Sequence, residues 1–507
     1  MPGDQNDVIE FLQSPDSHGA AAGPVTRIDT HCAAVFLVGD RAFKLKKAVR
    51  YPYLDFSTLE KRKAACEAEL ALNRPAAPEL YLGLRALGRD HDGRICWDAP
   101  EAIEWVVEMR RFPDDALLSV VARRGALDGR LCSDLADRIA VYHEQAPITL
   151  DRPGIASLTR LIQGIHDALD DAGGGLDVAK IDTVIAGLRL EAARHAALID
   201  RRAASGHVRH CHGDLHLANI CLIDGAPTLF DALEFDADLA TIDVLYDLAF
   251  LIMDLEHRGL RDLPAITLNR YLDRRDEQGG LALMPLFTAM RAAIRAYASA
   301  AAGTPVVAAG YLDHALRCLE TGPAMLIAIG GLSGSGKSHL SRGLAGRIGG
   351  ARHLRSDVLR KALAGLSSPE HRLAAAAYTQ ASSDRVYAVM REQAAELLGD
   401  GIPVICDAVF AKPRERADIA QVAAAAGVPF QGIWLDASRA TMAARVEGRH
   451  GDASDATGAV LESQLGYDLG GIGWAQINSD RDAAAVLDDA VALLPTGITS
   501  PPVTGER

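Results

Sequence analysis

A chain of 507 residues, 49% of them hydrophobic and 24% charged, has material for more than one domain with a large core, which excludes a mainly disordered or fibrous protein. The formal net charge of -14 disfavours non-specific binding to nucleic acid or anionic lipid, because both repel an acidic surface; a local basic pocket for phosphates stays compatible with it. The eight cysteines lie scattered without a CxxC pair, so neither a disulfide framework nor a zinc ribbon is expected.

The first residues, MPGDQNDVIE, lack the basic and apolar regions of a signal peptide. No apolar run approaches the roughly 18 residues of a membrane span. A cytoplasmic location is expected. From Val35 to Lys47 the pattern reads strand, turn, strand: VFLV, Gly39-Asp40, then RAFKLKK. A helix follows, started by Ser57 with Glu60 at capping-box spacing and running to about Leu72. Strands are expected around 80–84 and over AIEWVVEMRRF. Apolar residues at helical spacing from about 114 to 204 predict several helices. A short β segment occupies about 208–231, and helices resume to about Leu319.

Within that β segment, HCHGDLHLAN sets Asp214 five residues ahead of Asn219. Phosphoryl transfer to a hydroxyl needs a carboxylate beside the attacking O–H and oxygen ligands for Mg²⁺, needs that Asp214 and Asn219 fit. Asp224-Gly225 between two short apolar runs signals a hairpin, and counting outward from Gly225 brings Asn219 and Asp231 to one open end as two metal ligands. His210, Cys211, His212 and His216 form an alternative metal-ligand set, weakened because alternating strand positions face opposite sides.

HGDLHLAN and LFDALEF resemble the aminoglycoside phosphotransferase and choline-kinase group, a branch of the protein-kinase-like fold. The resemblance implies a two-lobed α+β domain over 1–322, with Asp214 catalytic, Asn219 and Asp231 on the metal, and Asp247 structural. It also implies a strand lysine on the nucleotide phosphates, paired with a helix glutamate. Lys44 and Lys46 lie two apart and share one strand face; Lys44 is preferred, with Glu69 preferred over Glu67 as its partner. The family's Gly-rich loop has no counterpart here, since only Gly39-Asp40 precedes Lys44.

After Thr321-Gly322-Pro323 the pattern changes to apolar strands (MLIAI, VICDA, GIWLDA), each followed by helical sequence. That alternation predicts an α/β domain with a parallel sheet over 323–495, and the last residues, 496–507, read as a disordered tail. Gly331-Leu-Ser333-Gly334-Ser335-Gly336-Lys337-Ser338 fits the P-loop pattern, between a strand and a helix opening near His339. Its glycines let backbone N–H groups surround phosphate oxygens, Lys337 would reach the β and γ phosphates of ATP, and Ser338 would ligate Mg²⁺. Asp407 in VICDA is placed to hold the metal's water. Asp357 would either orient an acceptor hydroxyl or cap the next helix. Arg445 and Arg449, four apart on an expected helix, would close on the transferring group or form a solvated face.

GLSGSGKS, RSDVLRK, VICDA and RVEGRHGDASDA resemble the small-molecule and zeta-toxin-like P-loop kinases. The resemblance implies acceptor contact by Asp357 and phosphate clamping by Arg445 and Arg449. The expectation is a bifunctional ATP- and Mg²⁺-dependent phosphotransferase acting on small-molecule hydroxyls. Two alternatives stand beside it. One makes either domain a nucleotide-binding regulator of the other; the second makes the last third a toxin-like sugar-nucleotide kinase neutralised by the rest.

Overall fold

The computed structural model describes residues 5–19, 23–51, 54–172, 175–234, 237–320, 322–366, 371, 373, 379–448 and 454–498. Two compact units emerge: Met1–Gly154 with Asp200–Leu251, and Ile155–Ile199 with Ile252–Arg507. No helix among the described residues is long and apolar enough to cross a membrane.

The first unit opens with a six-stranded antiparallel sheet in the order Thr26–Asp29, Ala33–Val38, Arg41–Lys46, Ala102–Arg110, Tyr81–Arg89, Ile95–Trp97. Apolar and β-branched side chains alternate across it and bury Phe36, Phe43, Leu45 and Val106. Helix Leu59–Asn73 packs on the Ala102–Arg110 and Tyr81–Arg89 strands. It begins one residue later than Ser57 would dictate. Thr58 is the cap and accepts from the Lys61 N–H, while Ser57 donates its hydroxyl to Asp55 at 2.5 Å. An Asp two residues back captured that serine before it could cap. The buried face of this helix is a polar stripe, Arg62, Cys66, Glu69 and Asn73, at helical spacing. Arg62 neutralises the equally buried Glu104, its Nη2 lying 2.7 Å away.

The rest of this unit holds helix Gly129–Gln145 and the hairpin Ile220–Ile223/Ala226–Leu229. Asp224 and Gly225 have φ of 52° and 82°, the left-handed pair that a two-residue turn of this hand requires.

The second unit contains a five-stranded, fully parallel sheet ordered Arg352–Arg355, Val404–Asp407, Leu326–Gly330, Phe430–Asp436, Ala475–Asn478. Its three inner strands are largely apolar and buried, as strands covered by helices on both faces are. Ile498 is buried in this core at 6% exposure, so ordered chain extends past the expected start of the tail at 496; residues 499–507 lie outside the described residues. Helix Leu263–Arg274 packs against helix Lys337–Ile348 and buries Ala265 in the same core.

From that helix Asn269 serves the edge strand. Its amide donates to the Ala351 carbonyl at 2.9 Å, and its oxygen accepts from the His353 N–H at 2.8 Å and from Arg352 at 3.0 Å. Asp273 completes the clamp with an ion pair to Arg352 at 2.8 Å. Asn269→Ala removes the side-chain partner of the Ala351 carbonyl and the His353 N–H, while Arg352 keeps Asp273. We expect it to cost about 2–4 kcal/mol in urea unfolding of the second unit, with hydrogen exchange accelerated first at the amides of residues 351–355; unchanged protection there would show that the carboxamide does not hold the strand.

Candidate functional sites

In the first unit, Lys44 and Lys46 project from one strand face onto Glu69. Lys44 Nζ lies 2.8 Å from one Glu69 oxygen and also pairs with Asp231; Lys46 Nζ lies 2.5 Å from the other oxygen and pairs with Glu234. Glu67 instead faces outward, its side chain 56% exposed, and pairs with Lys63 at 3.7 Å. Burial alone would lower the Lys44 ammonium, but Asp231 and Glu69 hold it far above its usual range. Burial would likewise raise Glu69, and the two ammonium groups outweigh it, so the carboxylate titrates below its ordinary 4.5.

Asp214 and Asn219 meet directly: the Asn219 amide donates to the Asp214 carboxylate at 2.7 Å and to its carbonyl at 3.0 Å, which turns the carboxamide oxygen the other way. Burial works against the charged form of Asp214, yet His216, His212 and Asn219 hold its pKa below the usual range. Such a carboxylate is a weak base that orients a hydroxyl better than it deprotonates one. The Asn219–Asp231 pairing inferred from Gly225 is off by one residue. The turn is centred between Asp224 and Gly225, so Ile220 faces Leu229 and the Phe230 N–H donates to the Asn219 carbonyl. Asp231 follows immediately, at a left-handed φ of 63°, with its N–H donating to the Tyr81 hydroxyl at 3.0 Å.

Asn73 accepts from the Ala232 N–H at 2.8 Å, so helix and sheet together pin the segment carrying Asp231. Asp247 accepts from the N–H groups of His212 and Gly213, at 3.1 and 2.8 Å, and contacts His143 at 3.0 Å, bracing the loop ahead of Asp214. The four residues of the alternative metal set go to separate partners. Cys211 faces the Ile242 carbonyl, His212 the Phe230 carbonyl and His216 the Asp214 carboxylate, while His210 points elsewhere with Nε2 buried and unpartnered.

In the second unit, the loop between strand Leu326–Gly330 and helix Lys337–Ile348 carries the P-loop residues. Gly331, Gly334 and Gly336 have φ of 144°, 85° and 96°, and a Cβ at Gly334 would stand 2.4 Å from the Met442 carbonyl oxygen. Only glycine fits that close approach. Lys337 Nζ rests on the Leu332 carbonyl at 3.0 Å, and the Ser338 hydroxyl donates to Asp407 at 2.6 Å. A hydroxyl and a carboxylate are hard oxygen donors of the kind Mg²⁺ takes. Burial opposes the Asp407 charge, but His353, Lys337 and Arg355 keep its pKa well below normal.

Asp357 sits inside the first turn of helix Ser356–Leu363, two residues past the cap position held by Arg355, and burial raises its carboxyl despite nearby Arg355. Arg445 braces the loop: it donates to the Ser479 carbonyl at 2.7 Å and reaches the Gly334 carbonyl at 3.4 Å. Its helix, Arg439–Glu447, stops short of position 449, and Arg449 lies outside the described residues. A cavity of about 1520 Å³ is lined by Lys337, Ser338, Asp357, Asp407 and Arg445 together. Three groups that sequence reasoning missed support the loop. His353 Nε2 contacts Asp407 at 3.3 Å, Gln464 accepts from the Ser333 N–H at 2.7 Å, and Ser479 donates to the Ser335 carbonyl at 2.8 Å.

Fold and sites define two parts of one chain: an α+β unit built on an antiparallel sheet, and an α/β domain with a parallel sheet and a P-loop. The protein-family profile described as an AAA domain matches residues 326–467. Uncharacterized protein Rv2004c of Mycobacterium tuberculosis and uncharacterized protein Mb2027c of Mycobacterium bovis are each 32% identical over 488 residues, covering 90% of this chain and 95% of their own. The chain belongs to the family of these mycobacterial proteins. Among solved structures, a choline/ethanolamine kinase family protein from Mesorhizobium loti is similar over 62% of this chain and 95% of its own, at 15% identity and a TM-score of 0.40. A gluconokinase from Sinorhizobium meliloti 1021 is similar over 34% and 92%, at 22% identity and a TM-score of 0.26.

Two outcomes follow from the geometry. Gly334→Ala should abolish nucleotide binding at the loop, read by calorimetry, because the added methyl collides with backbone rather than with a movable side chain. Because its folded pKa is depressed, Glu69 contributes stability that is present above about 4.5 and lost as the pH falls below it. Glu69→Gln should therefore lower stability at neutral pH and flatten the acid limb of the unfolding curve. An unaltered acid limb would mean that another carboxylate governs it.

Proposed function

We propose that this protein is an ATP-dependent phosphotransferase with two sites, one in a module spanning 1–322 and one in a module spanning 323–495. The observation that supports it most is the Ser338–Asp407 contact beneath a glycine loop with Lys337 alongside, a set of groups suited to a triphosphate and its cation. In the first module, Asp214 orients an acceptor hydroxyl, Lys44 held by Glu69 faces the nucleotide phosphates, and Asn219 and Asp231 hold Mg²⁺. In the second, Lys337 and the P-loop N–H groups hold the phosphates, Ser338 and Asp407 hold Mg²⁺, and Asp357, with its raised pKa, contacts the acceptor. Mg²⁺ supplies charge neutralisation on the phosphate oxygens in both. Arg445 acts by bracing the P-loop, while the proposed clamp of Arg445 with Arg449 rests on the motif alone. The acceptors are small molecules bearing a hydroxyl, and the workplace is the cytoplasm.

A second reading draws on the two-residue turn at Gly39-Asp40, which is too short to fold over phosphates. It makes the first module a nucleotide-binding regulator of the second.

The test is a screen of transfer from γ-labelled ATP across sugars, amino alcohols, aminoglycosides and nucleotides. Asp214→Ala and Lys337→Ala should each remove a different labelled product, by about 10²-fold or more. Loss of a single product with Lys337→Ala, and no product sensitive to Asp214→Ala, would favour the regulator. Products insensitive to both would sink the proposal.

A further inference from the structure

Outside both sites, the second unit gathers three ligand-type side chains with no role in the chemistry above. Glu256, His314 and Cys318 bring one carboxylate oxygen, one imidazole nitrogen and one sulfur within 4.8 Å of one another. His314 and Cys318 are four apart on helix Pro305–Leu319 and so share a face. Glu256 comes from helix Val244–His257. The imidazole is 4% exposed, and its buried Nε2 lies 3.3 Å from a Glu256 oxygen. Glu256 and Cys318 are each the penultimate residue of their helices. Two helix C-termini, each carrying partial negative charge, thus converge on the cluster. Carboxylate, sulfur and both helix ends all favour a cation at this point.

We propose that Glu256, His314 and Cys318 form a site for a borderline-soft divalent transition ion, zinc by its ligand set, with a fourth position open to water. The nearby cations leave room for it. Arg258 is committed to Asp254 at 2.8 Å. Arg317 is exposed and only reaches the far ring nitrogen of His314, at 3.4 Å, from which it can swing into solvent. His257 is stacked on Tyr311 with centroids 3.8 Å apart and stands edge-on to His314.

The cluster differs from the buried trio His143, Cys211 and Asp247, which is also close enough for a metal. There both Asp247 oxygens are already taken by backbone N–H groups, and the Cys211 thiol faces the Ile242 carbonyl.

The experiment uses the full chain, stripped with a chelator and held in excess Mg²⁺ so that hard-oxygen sites are filled. Titration with Co²⁺ should produce a thiolate-to-cobalt charge-transfer band saturating at one equivalent and erased by Zn²⁺. Cys318→Ser and Cys318→Ala should each lose the band while keeping the circular dichroism of the parent. Glu256→Gln should weaken Co²⁺ binding about tenfold or more. Absence of the band from the folded parent, or its survival in both Cys318 variants, would overturn the proposal. So would its loss in a folded Cys211→Ser variant.

Discussion

A carboxylate cannot be buried in its charged form unless something beside it replaces the water it gave up. Glu69, Asp247 and Asp407 are all buried, and each is answered in a different way. Glu69 is answered by two ammonium groups from one strand. Asp247 is answered by two backbone N–H groups and an imidazole. Asp407 is answered by a serine hydroxyl and His353. These compensations fix where strand, loop and helix stand relative to one another, so the same contacts that make the charges tolerable also set the geometry of each site.

The two units arrive at similar electrostatics by unrelated routes. In the first, the cation is a lysine on an antiparallel strand and the oxygens come from a loop and the far end of a hairpin. In the second, the cation is Lys337 at a helix start, and the oxygens come from that helix and a neighbouring parallel strand. Both arrangements concentrate fixed charge before any ligand enters, which is the condition for catalysis by positioning and charge neutralisation. The second unit adds a scaffold of its own. Asn269 and Asp273 hold the edge strand whose next residue, His353, touches Asp407, so helical sequence far upstream of the P-loop bears on the carboxylate beneath it.

Local sequence carried much of this. The P-loop needs glycines at positive φ between a strand and a helix, and that requirement is written in consecutive residues. Asp224-Gly225 specifies a tight turn in the same way, and the period of two that puts Lys44 and Lys46 on one face follows from the pleat. The errors also have local causes. Ser57 was captured by Asp55 before it could cap, and the hairpin count was centred on Gly225 where a two-residue turn is centred between residues.

What the sequence by itself determined is therefore whatever depends on neighbours in the chain: the turn types, the strand faces, the P-loop and the acid–amide pair Asp214 and Asn219, five residues apart. Tertiary structure alone decided what depends on groups brought together from far along the chain. It selected Glu69 over Glu67, because one helix face is buried against a sheet and the other is not. It set Tyr81 and Asn73 against the segment of Asp231, and Gln464 and Ser479 against the P-loop. It drew Glu256 to His314 and Cys318 through the packing of two helix ends. Backbone conformation is settled by short-range sterics, whereas the partner of a buried charge is settled by which distant surface covers it.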